Sequence, residues 1–485
     1  MLKIHNTLTG KKETFQPLVP GRVGMYACGV TVYDDSHLGH ARSALIFDVV
    51  RRYLRALGYQ VTYVRNFTDV DDKIIARAAR EGVPWTAIVS RYLAAHDRDM
   101  ARLGIQPADV QPKATEHMSE IIALVSRLVE TGHAYVMDGD VYYAVSSFAG
   151  YGRLSKRHTE DLLAGARVDV DERKRNPLDF ALWKASKPGE PSWESPWGAG
   201  RPGWHIECSA MAMRHLGETL DVHGGGMDLI FPHHENELAQ SSAATGRDFV
   251  RYWMHNGFVE VNQEKMSKSL GNFFTIREVF EKWPYRESVT GEILRYFLLA
   301  THYRSPLDFS DQALLESKTA LDNLYGALQR LEEITAATGA KDAEVDAGLR
   351  QCQQAMSEAM DDDFNTPAAL AALQTLRSDL NRAIDGGLSR AAAIRANTGL
   401  REAGQILGVA QQPVRDWEFQ RRLPEMARIA RSADLDDATI ERLVEERNAA
   451  RRTRQFAKAD DIRGQLMGHG ITLEDRPDGS TRWKR

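Results

Sequence analysis

Residues 24–30, GMYACGV, are followed by HLGHARSALIFDVVRRYLRALGY at 37–59 and QVTYVRNFTDVDDK at 60–73. The first stretch is apolar and strand-like. The second places apolar residues at helical spacing over several turns, and the third is β-branched and aromatic before it closes in a loop. A strand, a loop, a long helix ending near Gly58 and a second strand make the first half of a doubly wound parallel sheet, so the expected fold is α/β and Rossmann-like. Sheets of this kind bind ligands at the carboxyl ends of their strands.

Outward from that unit, residues 75–220 mix helical stretches such as SEIIALVSRLVETG with the Pro/Gly/Trp-rich KPGEPSWESPWGAGRPGWH, too irregular for one element. The reading is an insertion over about 75–200 within a catalytic domain spanning 1–310. A second βα pass runs from GWHIECSAMAMRHLG through DVHGGGMDLIFPHHENELAQSSAATG to RYWMHNGFVEV. After residue 310 the chain becomes Ala/Leu/Gln/Arg-rich with repeated helical periodicity, which predicts a separate helical bundle domain over 311–410. The stretch QQPVRDWEFQ at 411–420 reads as a linker or cap, and 421–485 as a small C-terminal α+β unit.

With 485 residues, 43% of them hydrophobic, the chain has material for two or more packed domains. No run of about 18 apolar residues occurs, and Met1 to Thr7 lacks a secretory pattern, so a cytoplasmic protein with no membrane association is expected. The three cysteines Cys28, Cys208 and Cys352 cannot form a disulfide framework and leave open a metal site, a reactive thiol or core filling. The net charge of -5 argues against nonspecific coating of nucleic acid. Residues 442–485, however, hold eleven Lys/Arg and seven Asp/Glu, a net +4 that leaves -9 on the rest. A basic terminus is where an RNA-binding surface would sit, a solvated helical face being the alternative.

Three motifs carry chemistry. His37-Leu38-Gly39-His40 stands at a strand-to-helix transition, where two imidazoles, a glycine and a helix N-terminus can hold a triphosphate and stabilise a transferring phosphoryl group. Lys265-Met266-Ser267-Lys268-Ser269 supplies two lysines on a small polar loop that can offset charge on a leaving pyrophosphate. In Pro232-His233-His234-Glu235-Asn236-Glu237, a helix opening with proline in its first turn, His233 and Glu237 are i and i+4 on one face. With Cys28 and Cys208 they offer two thiolates, an imidazole and a carboxylate, a tetrahedral zinc set, though isolated cysteines are more often core residues.

The first two motifs, in this order on an α/β frame, resemble the class I aminoacyl-tRNA synthetases. Further segments, YACGVTVYDDSHLGH, VRNFTDVDDKI, GWHIECSAM, DVHGGGMDLIFPHHENELAQS, HNGFVEVNQEKMSKSLGNF and MDDDFNTPAAL, are similar to the cysteinyl-tRNA synthetase family over nearly the whole chain. The resemblance implies activation of L-cysteine with ATP and magnesium to cysteinyl-adenylate, and transfer to the terminal adenosine of tRNA(Cys). It implies one zinc per chain on Cys28, Cys208, His233 and Glu237, and catalytic roles for His37, His40, Lys265 and Lys268. Gly39, Gly225, Gly226, Asp228, Ser267 and Ser269 would approach the nucleotide, and Thr31, Thr68, Trp204 and His223 would line the amino-acid pocket. A zinc ion fits this substrate: packing separates cysteine from serine by only about 1–3 kcal/mol, whereas zinc prefers thiolate strongly over an alcohol. Arg447, Arg451, Arg452, Arg454, Arg463 and Trp483 are the candidates for tRNA contact, and a monomer is expected.

The remaining residues receive structural readings. Cys352 is expected to pack, and His205 and His234 to point away from the site. Trp183, Trp193 and Trp197 anchor the insertion or stack on RNA, and Asp361-Asp362-Asp363, with a cation site as the alternative, open a helix before Phe364-Asn365-Thr366-Pro367. Three rival functions remain. A ligase passing cysteine to an amino sugar would not require the basic terminal unit, a non-catalytic RNA-binding paralogue would not need both phosphate motifs, and a generic nucleotidyltransferase would not need the metal set.

Overall fold

The computed structural model describes residues 1–157, 174–261, 264–265, 274–419 and 437–452, then 455, 458–459, 462–463, 466, 471–475 and 481–484. Four strands, Arg22–Thr31, Gln60–Thr68, Leu220–Gly226 and Val250–Asn256, form one sheet in which every pairing is parallel. The 22–31 strand lies between 60–68 and 220–226, and 250–256 forms the edge beyond 220–226. These strands are almost continuously buried, as parallel strands covered on both faces must be.

Helix Leu38–Ala56 connects the first two strands. It buries Leu45, Ile46, Val49, Val50 and Leu54, each such side chain stabilising the fold by about 1.5–3 kcal/mol. Gly224 sets how closely it approaches the sheet, since a Cβ there would lie 2.4 Å from the Phe47 ring and 2.3 Å from the Met254 carbonyl oxygen. Between the two βα passes stands a second sheet of strands Ala134–Met137, Asp140–Tyr143, Phe180–Ala185 and Gly200–Pro202, antiparallel in chain order. Trp183 is fully buried in its core and Trp193 and Trp197 pack against the same cluster, so these tryptophans anchor the insertion.

Helices Asp311–Glu332, Asp342–Asp361, Thr366–Asp385 and Arg390–Gln405 form the bundle, with Cys352 buried among them as expected. The bundle shares one compact unit, Met1–Glu418, with the residues before it. The joints are buried and polar. The Arg295 guanidinium donates from Nε to the Leu407 carbonyl at 2.5 Å and from Nη2 to Asp48 Oδ2 at 3.0 Å. Asp48 also accepts from Arg51 and Arg52, both at 2.9 Å.

The acidic triplet differs from the expectation of a helix start. Asp361 ends helix 342–361, and the next helix starts at Thr366 with Asn365 as its cap. Asp361 pairs with the Met1 amino group and Asp362 with Lys12. Asp363 is fully buried, accepting from the His5 amide at 2.8 Å, Tyr303 Oη at 2.8 Å and Arg304 Nε at 2.7 Å. The triplet answers to distant cations and donors rather than to a helix dipole, which local spacing could not reveal.

The second unit, Phe419–Arg485, contains helix Asp437–Arg452 and an antiparallel hairpin of Thr472–Asp475 and Thr481–Lys484. Ile440, Leu443, Val444, Ile462, Leu466, Ile471 and Leu473 make its core. Among the described residues, no helix is long and apolar enough to cross a membrane.

Candidate active site

At the carboxyl ends of the parallel strands lies an open cavity of about 500 Å³. One wall is the HLGH turn. His37 is the N-cap of helix 38–56, its Nδ1 accepting from the Gly39 amide at 3.1 Å, while His40 Nδ1 faces the His37 amide at 3.4 Å. The two rings stack at 3.6 Å. Gly39 permits this, because a Cβ would sit 2.9 Å from His37 Cε1. The turn also binds the segment following KMSKS: Leu38 donates to the Phe274 carbonyl at 3.3 Å and Ile276 to the Ser36 carbonyl at 3.0 Å.

The opposite wall is a cluster of sulfur, imidazole and carboxylate. The ligand atoms of Cys28, Cys208, His233 and Glu237, all buried, lie within 4.8 Å of one another. Cys28 Sγ is 3.7 Å from Cys208 Sγ and 3.4 Å from Glu237 Oε1, and His233 Nε2 is 3.0 Å from the same oxygen. Burial pushes the Cys28 thiol well up, while the hydrogen bond from Cys28 pulls Cys208 down to about 6. Burial works against charge on His233, but Glu237 and Cys208 outweigh it and carry that imidazole to about 10. Burial likewise opposes the Glu237 anion, which His223 and His233 nevertheless hold well below the usual carboxylate range.

A second ring of groups fixes these four. His223 Nε2 is 2.9 Å from Glu237 Oε2, and His205 Nδ1 is 2.9 Å from His233 Nδ1, leaving His233 Nε2 for the cluster. His234 Nε2 lies 3.2 Å from Cys28 Sγ and its Nδ1 2.7 Å from His255 Nε2. Cys28, His223, His234 and Glu237 form an alternative donor set. Cys28, Cys208 and His233 line the cavity and His223 and His234 do not, so the first set is the one an incoming ligand can reach.

Three family models match in sequence. Residues 14–319 match the class I (C) tRNA synthetase catalytic domain, 355–411 the DALR domain and 434–483 the cysteinyl-tRNA ligase anticodon binding domain. A cysteine–tRNA ligase of Geobacter metallireducens is 54% identical over 492 residues, covering 100% of this chain and 99% of the relative. One of Thioalkalivibrio sulfidiphilus is 53% identical over 487 residues, with 100% of both chains covered.

The chain belongs to the cysteine–tRNA ligase family.

It is therefore an aminoacyl-tRNA synthetase of the class I catalytic type, and solved structures agree on the fold. Mycobacterium tuberculosis methionyl-tRNA synthetase in complex with methionyl-adenylate superposes with a TM-score of 0.57 at 18% identity, covering 80% of this chain and 89% of that one. Thermus thermophilus arginyl-tRNA synthetase gives 0.52 at 13%, covering 83% and 84%.

Within this ligase, His37, Gly39, His40, Thr31, Thr68, Trp204, Gly226 and Asp228 all line the one cavity together with Cys28, Cys208 and His233. Trp204 stacks on His233 at 4.2 Å, and Thr68 donates to Glu207 Oε2 at 2.9 Å. Two residues depart from the expectation. His223 is fully buried against Glu237 instead of lining the pocket, and Gly225 packs beneath Leu229 and His234. His205 and His234, expected to point away, both face the cluster. In the structure the α-helix starts at Glu235 and Ile230–His234 form a wider turn before it, so His233 reaches Glu237 from that turn. His234 and Glu237 are i and i+3, close enough in rotation to share the face.

Lys265 pairs through its backbone with Glu260 in a two-residue strand, whereas Lys268, Ser267 and Ser269 lie outside the described residues. In the C-terminal unit Arg451 and Arg463 are exposed and Trp483 is half-buried on the hairpin. The Arg452 side chain and all of Arg454 lie outside the described residues. Arg447 is a correction: it is buried, with Nη1 3.3 Å from Asn448 Oδ1 and 3.4 Å from Thr481 Oγ1, and so ties helix to hairpin instead of facing solvent. Sequence reading also missed Arg65, Asn66, Lys73 and Asn256 in the cavity lining. The signal for Arg65 was a lone cation inside the strand run QVTYVRNFT.

Proposed function

We propose that this ligase activates L-cysteine with magnesium-bound ATP and transfers the cysteinyl group to the 3′-terminal adenosine of tRNA(Cys), acting as a cytoplasmic monomer. The observation that carries the reading is the opening of both the HLGH turn and the Cys28/Cys208/His233 face into one cavity.

Two thiols, an imidazole and a carboxylate within 4.8 Å fit zinc in donor type and number, and the proposal is one zinc held by Cys28, Cys208, His233 and Glu237. Bound there, the ion supplies a thiolate-seeking Lewis acid that distinguishes cysteine from serine. His205 and His223 orient His233 and Glu237 from behind, while Trp204, stacked on His233 and 39% exposed, covers the amino-acid end. Thr31 and Thr68 line the space between.

At the other wall, His37, Gly39 and His40 present ring nitrogens and a helix N-terminus to the triphosphate, with Gly226 and Asp228 at the nucleotide. Lys265 and Lys268, with Ser267 and Ser269, are assigned to the pyrophosphate that leaves, stabilising charge that develops only as the P–O bond breaks. Exposed Arg451 and Arg463 with Trp483, and Arg452 and Arg454 on the same basic unit, are assigned to phosphate contact and base stacking.

The test is cysteine-dependent exchange of pyrophosphate into ATP together with charging of tRNA. Both are expected. Exchange without charging points to a ligase for another acceptor, such as an amino sugar, and charging with serine as readily as with cysteine overturns the metal-based selection.

A further inference from the structure

Six arginines are buried among the described residues: Arg42, Arg51, Arg65, Arg201, Arg295 and Arg447. Five of them use their guanidinium forks. Arg42 donates to four backbone carbonyls, Arg51 pairs with Asp48, Arg201 with Asp72, Arg295 with Asp48 and the Leu407 carbonyl, and Arg447 bonds to Asn448 and Thr481.

Arg65 is the exception. It is 8% exposed and lines the cavity, and although its Nε is unpartnered like those of Arg42, Arg51 and Arg201, its guanidinium alone of the six has neither a carboxylate within ion-pair distance nor a carbonyl or amide acceptor among the described residues. The Tyr63 hydroxyl stands beside its guanidinium and His96 feels its charge, but a tyrosine hydroxyl and a histidine held at about 3 by burial and by Arg65 are neutral at pH 7. A buried charge with no counter-ion is costly to keep, and the cavity that Arg65 lines implies that the counter-ion comes with a ligand.

The face of the sheet indicates which ligand. Tyr63 and Arg65 are two apart on one strand and share a face, and Arg51 of helix 38–56 stands 5.4 Å over the Tyr63 ring, so that face is the one covered by the HLGH helix. Thr68, three residues further, points to the opposite face, bonding Glu207 on the helix that carries Cys208. Arg65 thus belongs to the histidine side of the pocket and not to the thiol side.

We infer that Arg65 binds a phosphate group of ATP through its guanidinium fork. The inference rests on the reading of the cavity as the cysteine-activating site and adds to it a cation that neither motif contains. A charge-assisted bidentate contact to phosphate corresponds to a loss on the order of tenfold to a hundredfold in affinity when it is removed.

Arg65→Met keeps length and removes charge. Without ligand it is expected to melt at the same temperature as wild type or higher, because an unpaired buried cation has been replaced by apolar surface. ATP with magnesium, in the absence of cysteine, should raise the melting temperature of wild type and fail to raise that of the variant. In pyrophosphate exchange, KM for ATP should rise at least tenfold with KM for cysteine within twofold, and Arg65→Lys should recover part of the loss. A variant that melts lower than wild type yet keeps the full ATP-induced shift shows a merely structural residue and overturns the inference. A KM increase confined to cysteine overturns it as well, assigning Arg65 to the substrate carboxylate. The two readings fail separately: loss of the ATP shift in the variant supports the phosphate contact whatever the exchange rate, whereas wild type without cysteine-dependent exchange refutes the reading of the site.

Discussion

Replacing Gly39 by alanine tests whether the paired histidines act through position. The added Cβ would meet His37 Cε1 at 2.9 Å and Nδ1 at 3.0 Å, where ordinary contact begins at 3.4 Å. The His37 ring must retreat by about half an ångström, and with it the stack on His40 at 3.6 Å and the cap on the Gly39 amide. A displacement of about 1 Å in a reacting array can cost about a hundredfold, so half of that predicts a fall of roughly tenfold in kcat. Stability should hardly move. Weakening the N-cap costs about 1 kcal/mol, and exchanging glycine for alanine in a helical turn returns about 0.5–1 kcal/mol. The cysteine side of the pocket, Cys208, His233 and Trp204, is untouched by the change. Pyrophosphate exchange measured against both substrates should therefore show reduced kcat, unchanged KM for cysteine and a melting temperature within about 2 °C of wild type. A kcat within twofold of wild type, or a loss of cysteine affinity equal to the loss of turnover, would refute the positional argument.

Three further expectations follow from other parts of the molecule. Wild type should bind about one zinc per chain, Cys208→Ala should lose it, and His223→Ala should weaken binding by about 10–100-fold by freeing Glu237 Oε2; metal analysis and chelator competition measure both. His96 is held neutral, at about 3, by burial and Arg65, whereas the unfolded chain takes up its proton below 6.5. Stability from this group is thus complete above pH 6.5 and is lost as pH falls from 6.5 towards 3, by up to about 1.4 kcal/mol per pH unit, and urea midpoints of wild type and His96→Gln should converge across that window. Asp363→Ala strands the His5 amide, the Tyr303 hydroxyl and the Arg304 guanidinium together, and should lower the unfolding free energy of the first unit by about 3–5 kcal/mol in denaturant titration; a loss under 1 kcal/mol would contradict its role as a joint.

The parts of the fold legible in the sequence were those governed by local periodicity. Residues 22–68 read as strand, helix, strand because burial on a parallel sheet leaves long apolar runs, and the bundle helices repeat at a helical period. The i, i+4 relation of His233 and Glu237 likewise brought two cluster members together, and their contact survives although His233 stands in a wide turn. What escaped were contacts made by tertiary folding. His205 meets His233 across 28 residues, so no spacing rule could turn that ring inward, whereas the i, i+3 relation of His234 to Glu237 was local and only its contact with Cys28, across 206 residues, was not. Arg447, read as a tRNA contact, and the Asp361–Asp363 triplet, read as a helix start, instead bond to partners on other elements. Arg65 stood out in sequence only as a lone cation in a strand run; that no carboxylate among the described residues pairs with it shows only in the fold.

The buried joint at Asp48 constrains how such a chain can be recombined. Arg51 and Arg52 reach Asp48 from the same helix, but Arg295 comes from 247 residues away and also caps the Leu407 carbonyl. A chimera that crossed to a relative near residue 310 would pair one parent's Asp48 and Arg295 with the other parent's 407 loop, and one parent's His5, Tyr303 and Arg304 with the other's Asp363. Each mismatch would leave an ion or carbonyl sealed from water. The crossover point that the molecule itself offers lies at 418–419, where the chain passes from one compact unit to the next.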